Sequence, residues 1–221
     1  MLSVAEVASE MGVSPERVRQ LIESGALPAV RVGGRWVIED RVVVRRPEGR
    51  PWSEAAAWGL VWLAAGRRAP WLSVKQRQRV RTRLADGLMH HVERLSTRAE
   101  CLWFRAHPSA LARLLADARL VNSGVSAAGA MGADLVAVDH VEAYVRATDV
   151  SVLIAEYALE TVAVGEGNVL LRSVSEVWPF DDHERVAPSL VVALDLMESA
   201  DARTSRAGQG LLKRALGKVS E

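Results

Sequence analysis

The sequence predicts an α+β chain: a small helix–helix–hairpin unit at the N-terminus, then a mixed α/β body, then a helical end. Three observations carry this. Apolar residues recur at helical spacing over 4–22, with helix-start and helix-stop residues between them. Two four-residue apolar runs follow, joined by Gly33-Gly34. Beyond residue 50, strand-like runs alternate with helical ones, and the last thirty residues carry only helical periodicity.

In order along the chain, Ser3 and Glu6 stand three apart as a capping box ahead of Val4, Val7, Ala8 and Met11. Gly12 can take a turn and Val13 can fill the space between helices. Ser14-Pro15 then supplies an N-cap hydroxyl and the residue best suited to a first helical position. In the second helix Val18, Leu21 and Ile22 turn inward, which leaves Glu16, Arg17, Arg19, Gln20 and Glu23 outside, until Gly25 ends it. Val30–Val32 and Arg35–Ile38 form two strands whose Gly-Gly joint tolerates a primed turn. The unit is therefore a helix-turn-helix with a wing, ending at residue 46, and the Pro, Gly and Arg segment 47–51 is a linker.

The stretch from Ser3 to Ile38, SVAEVASEMGVSPERVRQLIESGALPAVRVGGRWVI, resembles the excisionase and MerR-like helix-turn-helix family. The resemblance implies binding to double-stranded DNA. The second helix would enter the major groove with Ser14, Glu16, Arg17, Arg19 and Gln20, and the wing would meet the backbone or minor groove through Arg31, Gly33, Gly34 and Arg35. Arginine can hold guanine, and glutamine adenine, by paired hydrogen bonds. Residues 1–50 hold eight basic and seven acidic side chains, net +1. Affinity for DNA rests largely on phosphate neutralisation, so one copy should bind weakly, and a homodimer on DNA is expected.

The remaining residues, 52–221, read as one α/β antitoxin-like or dimerisation domain, with room for a sub-boundary near 121–133. Ser53 to Ala65 is an apolar helix with Trp58 and Trp62 on one face. Ser73 and Gln76 form a second capping box, and Val80, Leu84, Leu88, Val92 and Leu95 follow at helical intervals, with Gly87 as a break. This places Lys75, Arg79 and Arg83 on one exposed stripe with Arg77 and Arg81 beside it, as candidate phosphate contacts or a solvated face. Arg98–Arg105 is a strand and Pro108–Leu120 a helix; the small residues of Val121–Gly132 read as a loop. Val141–Val145 is a strand and Asp149–Leu159 a helix capped by Asp149 or Thr148. Thr161–Val164 and Asn168–Arg172 are a hairpin closed by Gly165-Glu166-Gly167. Two helices finish the chain, Pro188–Ser199 and Ala202–Leu216.

Charge is segregated. Residues 67–119 carry twelve basic and four acidic side chains, whereas 134–201 carry three and fourteen. The blocks either face different partners or pair with each other.

With 49% hydrophobic and 25% charged residues the chain is an ordinary globular protein. Its longest uncharged apolar stretch, 55–66, is too short for a bilayer and no leader is evident, so a cytoplasmic protein without membrane association is expected. The single Cys101, among Leu102, Trp103 and Phe104, is expected in the core. No Gly-rich phosphate loop and no His pair at metal spacing occur, and Asp181, Asp182, His183 and Glu184 read as an acidic surface turn. Neither enzyme activity nor a cofactor is expected.

Five segments of the larger domain, GVSAA from Gly124, EAYVR from Glu142, SVLIAEYAL from Ser151, GNVLLR from Gly167 and APSLVVALDLMESADAR from Ala187, are similar to the C-terminal part of AbiEi-type antitoxins of type IV toxin-antitoxin systems. That resemblance implies a transcriptional autorepressor that binds its own promoter and neutralises a nucleotidyltransferase-like toxin. The alternative is a free-standing MerR or excisionase-like regulator whose C-terminal domain dimerises or senses a ligand.

Overall fold

The computed structural model describes residues 2–11, 14–23, 29–38, 52–133, 135 and 139–217. The turn at Gly12 and Val13, the helix stop at Gly25 and the linker 47–51 lie outside the described residues. The chain divides into two compact units, Met1–Arg50 and Pro51–Glu221.

In the first unit, strand β1 (Leu2–Ser3) leads into helices α1 (Val4–Met11) and α2 (Pro15–Glu23), followed by strands β2 (Ala29–Val32) and β3 (Arg35–Ile38). The sheet order is β1-β3-β2, all antiparallel. Val7, Ala8, Val18, Ile22 and Ile38 form its core. One apolar side chain or pair from each element closes that core, which is how a unit this small buries enough surface to hold two helices against a hairpin.

The second unit is built on a five-stranded mixed sheet. Helices α3 (Glu54–Ala64) and α4 (Val74–Ala85) precede a 3-10 segment, Leu88–Arg98. Then come β4 (Glu100–Arg105), α5 (Pro108–Leu115), β5 (Val121–Asn122), α6 (Gly124–Ala128), β6 (Val141–Arg146), α7 (Val150–Tyr157), β7 (Glu160–Thr161), β8 (Val169–Val174), α8 (Ser189–Met197) and α9 (Ala202–Gly217). The strand order is β5-β6-β8-β4-β7, with β6 and β8 parallel. Side chains alternate across a strand. On one face, Val141, Ala143, Val145, Val169 and Leu171 pack with Leu111 and Leu114 of α5 and Leu153 and Tyr157 of α7. On the other, Tyr144 and Val174 join a larger core built from α3, α6, α8 and α9. Trp58 and Trp62 of α3 meet edge to face at 5.2 Å, and Trp58 also meets Tyr144 at 5.2 Å.

Several expectations are corrected. The capping box Ser73–Gln76 forms, but α4 stops at Ala85, and Gly87 with φ +99° turns the chain into the 3-10 segment, so the spacing through Leu95 is not one helix. Helix α5 ends at Leu115 rather than residue 120, because the Asp117 side chain takes the Arg119 amide and guanidinium in a turn of its own. Neither Asp149 nor Thr148 caps α7, which is entered through a 3-10 turn. Val121–Gly132 is not a loop: its small residues let α6 pack closely. At Gly124, φ +47°, an added Cβ would lie 1.9 Å from Glu142 Oε2.

The expected hairpin of 161–164 with 168–172 does not form. Strand β7 pairs with Phe104 and Arg105 of β4, and β8 pairs with β4 along its other edge. The two glycines serve a crossing instead. A Cβ at Gly167 would fall 2.2 Å from the Phe104 carbonyl oxygen, so only glycine lets the chain pass that close to β4. Cys101 is exposed rather than buried: β7 covers β4 only at Phe104 and Arg105, leaving this edge open.

Candidate nucleic-acid interface

In the first unit the capping box is complete. The Ser3 amide donates to Glu6 Oε2 at 2.7 Å and the Glu6 amide to Ser3 Oγ at 3.3 Å. These hydrogen bonds hold the Glu6 carboxyl below its ordinary range. The Ser14 carbonyl accepts the first helical hydrogen bond of α2, from the Val18 amide at 3.2 Å, which fixes where that helix begins. Because Val18 and Ile22 are buried, Glu16, Arg19 and Gln20 point to solvent, and Ser14 and Pro15 are exposed at the helix start. Arg19 Nη1 lies 2.9 Å from Glu16 Oε2. Both side chains are more than half exposed, so the pair is weak enough to be exchanged for another acceptor.

The hairpin register pairs Arg31 with Trp36 and Val32 with Arg35, which leaves Gly33 and Gly34 as the two-residue tip. Their φ values, +57° and +79°, are those of a type I′ turn, which is why glycine stands at both. The exposed Arg31 guanidinium lies 5.3 Å from the Trp36 ring centre, a cation–π contact that orients it along the wing. Arg17 lies within α2 and Arg35 opens β3. The fold thus brings the start of α2 and the tip of the wing into one small unit, with three of the named arginines on elements fixed by the same core.

The basic helix α4 departs from the expected stripe. Val80 is buried and Leu84 half-buried. At about 100° per residue, Lys75 and Arg79 stand opposite that inner face, Arg77 and Arg81 on one flank and Arg83 on the other. Lys75, Arg79 and Arg81 are exposed. Arg77 and Arg83 are half-buried and serve the fold: Arg77 donates to the carbonyls of Ala69 and Leu72, both at 3.3 Å, and Arg83 stacks 4.4 Å from the Trp52 ring centre.

The two charge blocks pair in part. Arg67 reaches Glu184 at 2.6 Å, Arg98 reaches Asp195 and Glu198, and Arg119 reaches Glu156 at 2.7 Å. The densest pairing was not singled out from the sequence. Glu142, Tyr144 and Arg172 share one face of the sheet, with Tyr144 beside Arg172 in the register, and Asp195 and Glu198 come down on them from α8 and its C-terminal end. Asp195 accepts from Arg98, from Ser123 and, at 2.7 Å, from Tyr144 Oη. Arg172 donates to Glu142 Oε1 at 2.6 Å and to Glu198 Oε2 at 2.5 Å. Burial raises the Glu142 carboxyl despite Arg172 beside it. For Glu198 burial acts the same way, but Arg98 and Arg172 outweigh it and hold the carboxyl below its ordinary range. The signal was present: a lone charge inside each of the apolar runs VLLRSV and LVVALDLM. The cluster floors a cleft of about 430 Å³ that Trp103 and His140 also line.

Residues 1–43 match the family model described as a helix-turn-helix domain. No curated protein and no solved structure matches the chain. The N-terminal unit is therefore a helix-turn-helix domain, a module of DNA-binding regulators. Among the described residues, no helix is long and apolar enough to cross a membrane.

Proposed function

We propose that this chain is a cytoplasmic, non-enzymatic DNA-binding autorepressor that acts as antitoxin to a nucleotidyltransferase-like toxin. The observation that carries the DNA-binding part is the geometry of the first unit: α2 exposes Glu16, Arg19 and Gln20 while its apolar side is locked to the core, and a glycine-tipped wing follows. Helix α2 reads bases in the major groove through Arg17, Arg19 and Gln20, and Arg31 and Arg35 hold phosphates. A net of +1 over residues 1–50 calls for added neutralisation, so two copies bind together on the promoter, and Lys75 and Arg79 of the larger unit add sequence-blind affinity.

The antitoxin part is supported by the AbiEi-like segments, which include β6, α7, β8 and α8, the central strands and helices of the larger unit. Coexpression tests it. A cotranscribed nucleotidyltransferase-like protein should arrest growth alone and be neutralised when the full chain is present, including a variant with Arg17→Ala and Arg19→Ala. No rescue by either form overturns the antitoxin reading while leaving DNA binding intact.

A second reading, a free-standing regulator whose larger domain senses a ligand, is favoured by one observation, the charged cleft floored by Glu142, Arg172, Asp195 and Glu198. A small molecule that shifts promoter affinity, with no rescue of growth, would select it.

A further inference from the structure

The turn after α3 and one flank of α4 enclose an open cleft of about 660 Å³ into which Arg67, Arg68, Arg77 and Arg81 converge. Among its described lining residues there is no carboxylate. Two of the four have an evident task in the fold: Arg77 ties down the 69–72 turn, and Arg67 pairs with Glu184 while stacking 5.3 Å from the Trp62 ring centre. Arg68 and Arg81 are exposed and make no ion pair among the described residues. Like charges gathered without counter-charge repel one another in the free protein, so the arrangement favours a bound anion.

A second cleft of about 620 Å³ adjoins the first and shares Arg67, Arg68 and Pro70 with it. Its walls are aromatic, with the half-buried rings of Trp71 and Trp178 at the sides and Phe180 below. A phosphate gains nothing from an indole face. A base does, and every base has such a face to offer.

We infer that this double cleft binds nucleotide units of single-stranded nucleic acid, with phosphates held by Arg68 and Arg81 beside Arg67 and Arg77, and bases set against Trp71 and Trp178. Adjacent basic and aromatic surfaces are the combination by which sequence-tolerant single-strand binding is achieved. The site lies wholly within the larger unit and is independent of promoter reading by α2.

The test is fluorescence anisotropy of the full chain with a labelled oligothymidylate over a series of salt concentrations. The variants are Arg68→Ala with Arg81→Ala, both exposed side chains whose loss leaves the thermal midpoint in place, and Trp178→Leu. The double arginine variant should bind roughly tenfold or more weakly, with the log–log salt slope falling by about 1.4, at about 0.7 for each phosphate of a single strand that is no longer neutralised. Binding to the promoter duplex should not change. An abasic strand should bind wild-type protein more weakly than oligothymidylate, and Trp178→Leu should narrow that difference. Wild-type affinity and slope in the double arginine variant would overturn the inference. So would equal binding of the abasic strand, or equal binding of an unrelated duplex that depends on the same two arginines.

Discussion

Replacing Asp195 by Leu should destabilise the larger unit by about 3–4 kcal/mol. The side chain is fully buried and accepts hydrogen bonds from the Arg98 guanidinium, the Ser123 hydroxyl and Tyr144 Oη. Stranding a buried charged donor costs about 1.5–3 kcal/mol and each neutral one about 1 kcal/mol, which brings the gross loss to roughly 3–5 kcal/mol. Two features temper it. Arg98 keeps Glu198 at 2.6 Å and the Leu95 carbonyl at 2.8 Å. The cluster holds three carboxylates against two guanidiniums, so removing one carboxylate relieves repulsion on Glu142. Arg98→Met, by contrast, leaves the three carboxylates with Arg172 alone, and should cost at least as much as Asp195→Leu. The double variant should then lose less than the sum of the two. Urea unfolding followed by tryptophan fluorescence reads the effect, since Trp58 packs 5.2 Å from Tyr144. The midpoint should fall with the slope unchanged. A loss below about 1 kcal/mol for Asp195→Leu, with strict additivity in the cycle, would refute the view that this network joins α8 to the sheet.

Asp117 is held down to about 2, from an ordinary 3.8, by hydrogen bonds from Arg119, and its side chain also accepts from Tyr157 Oη at 2.9 Å. Because the folded value is depressed, this contribution is complete above the unfolded value near 4 and is lost as pH falls through about 2; screening reduces it to about 1–2 kcal/mol. Denaturation midpoints of wild type and Asp117→Asn should converge across that window, and parallel curves would contradict the assignment. Gly167→Ala should destabilise the protein by about 2–4 kcal/mol, because its methyl meets the backbone oxygen of Phe104, which cannot rotate away. A thermal melt that matches wild type would show that β8 does not cross β4 this closely.

What could be read from the sequence follows from how local each signal is. Ser3 with Glu6, Ser14-Pro15 and Gly33-Gly34 act within a few residues, so the elements of the reader and its exposed positions were legible. The same holds for Ser53 and Ser73, whose side chains cap α3 and α4. Strand pairing depends on what lies between two strands, and nothing near Gly165-Glu166-Gly167 announces that β4, sixty residues earlier, inserts there. The small residues of 121–132 read as loop because a helix buried by close approach needs them just as a loop does. The basic helix was legible as a helix, but the uses of Arg77 and Arg83 were not, since Ala69 and Trp52 belong to other segments. The buried charge cluster is the clearest case: Glu142, Arg172 and Asp195 each looked anomalous alone, and only the parallel register of β6 with β8 under α8 makes them answer one another.

Equilibrium binding of the full chain to the duplex upstream of its own coding sequence, beside a scrambled duplex of equal length, tests the role of α2 most directly. Arg17→Ala and Arg19→Ala should each reduce the preference for the upstream duplex by about 1–3 kcal/mol while leaving binding to the scrambled one nearly unchanged. Upstream affinity and preference equal to wild type in both variants would contradict the assignment of α2 as the reader.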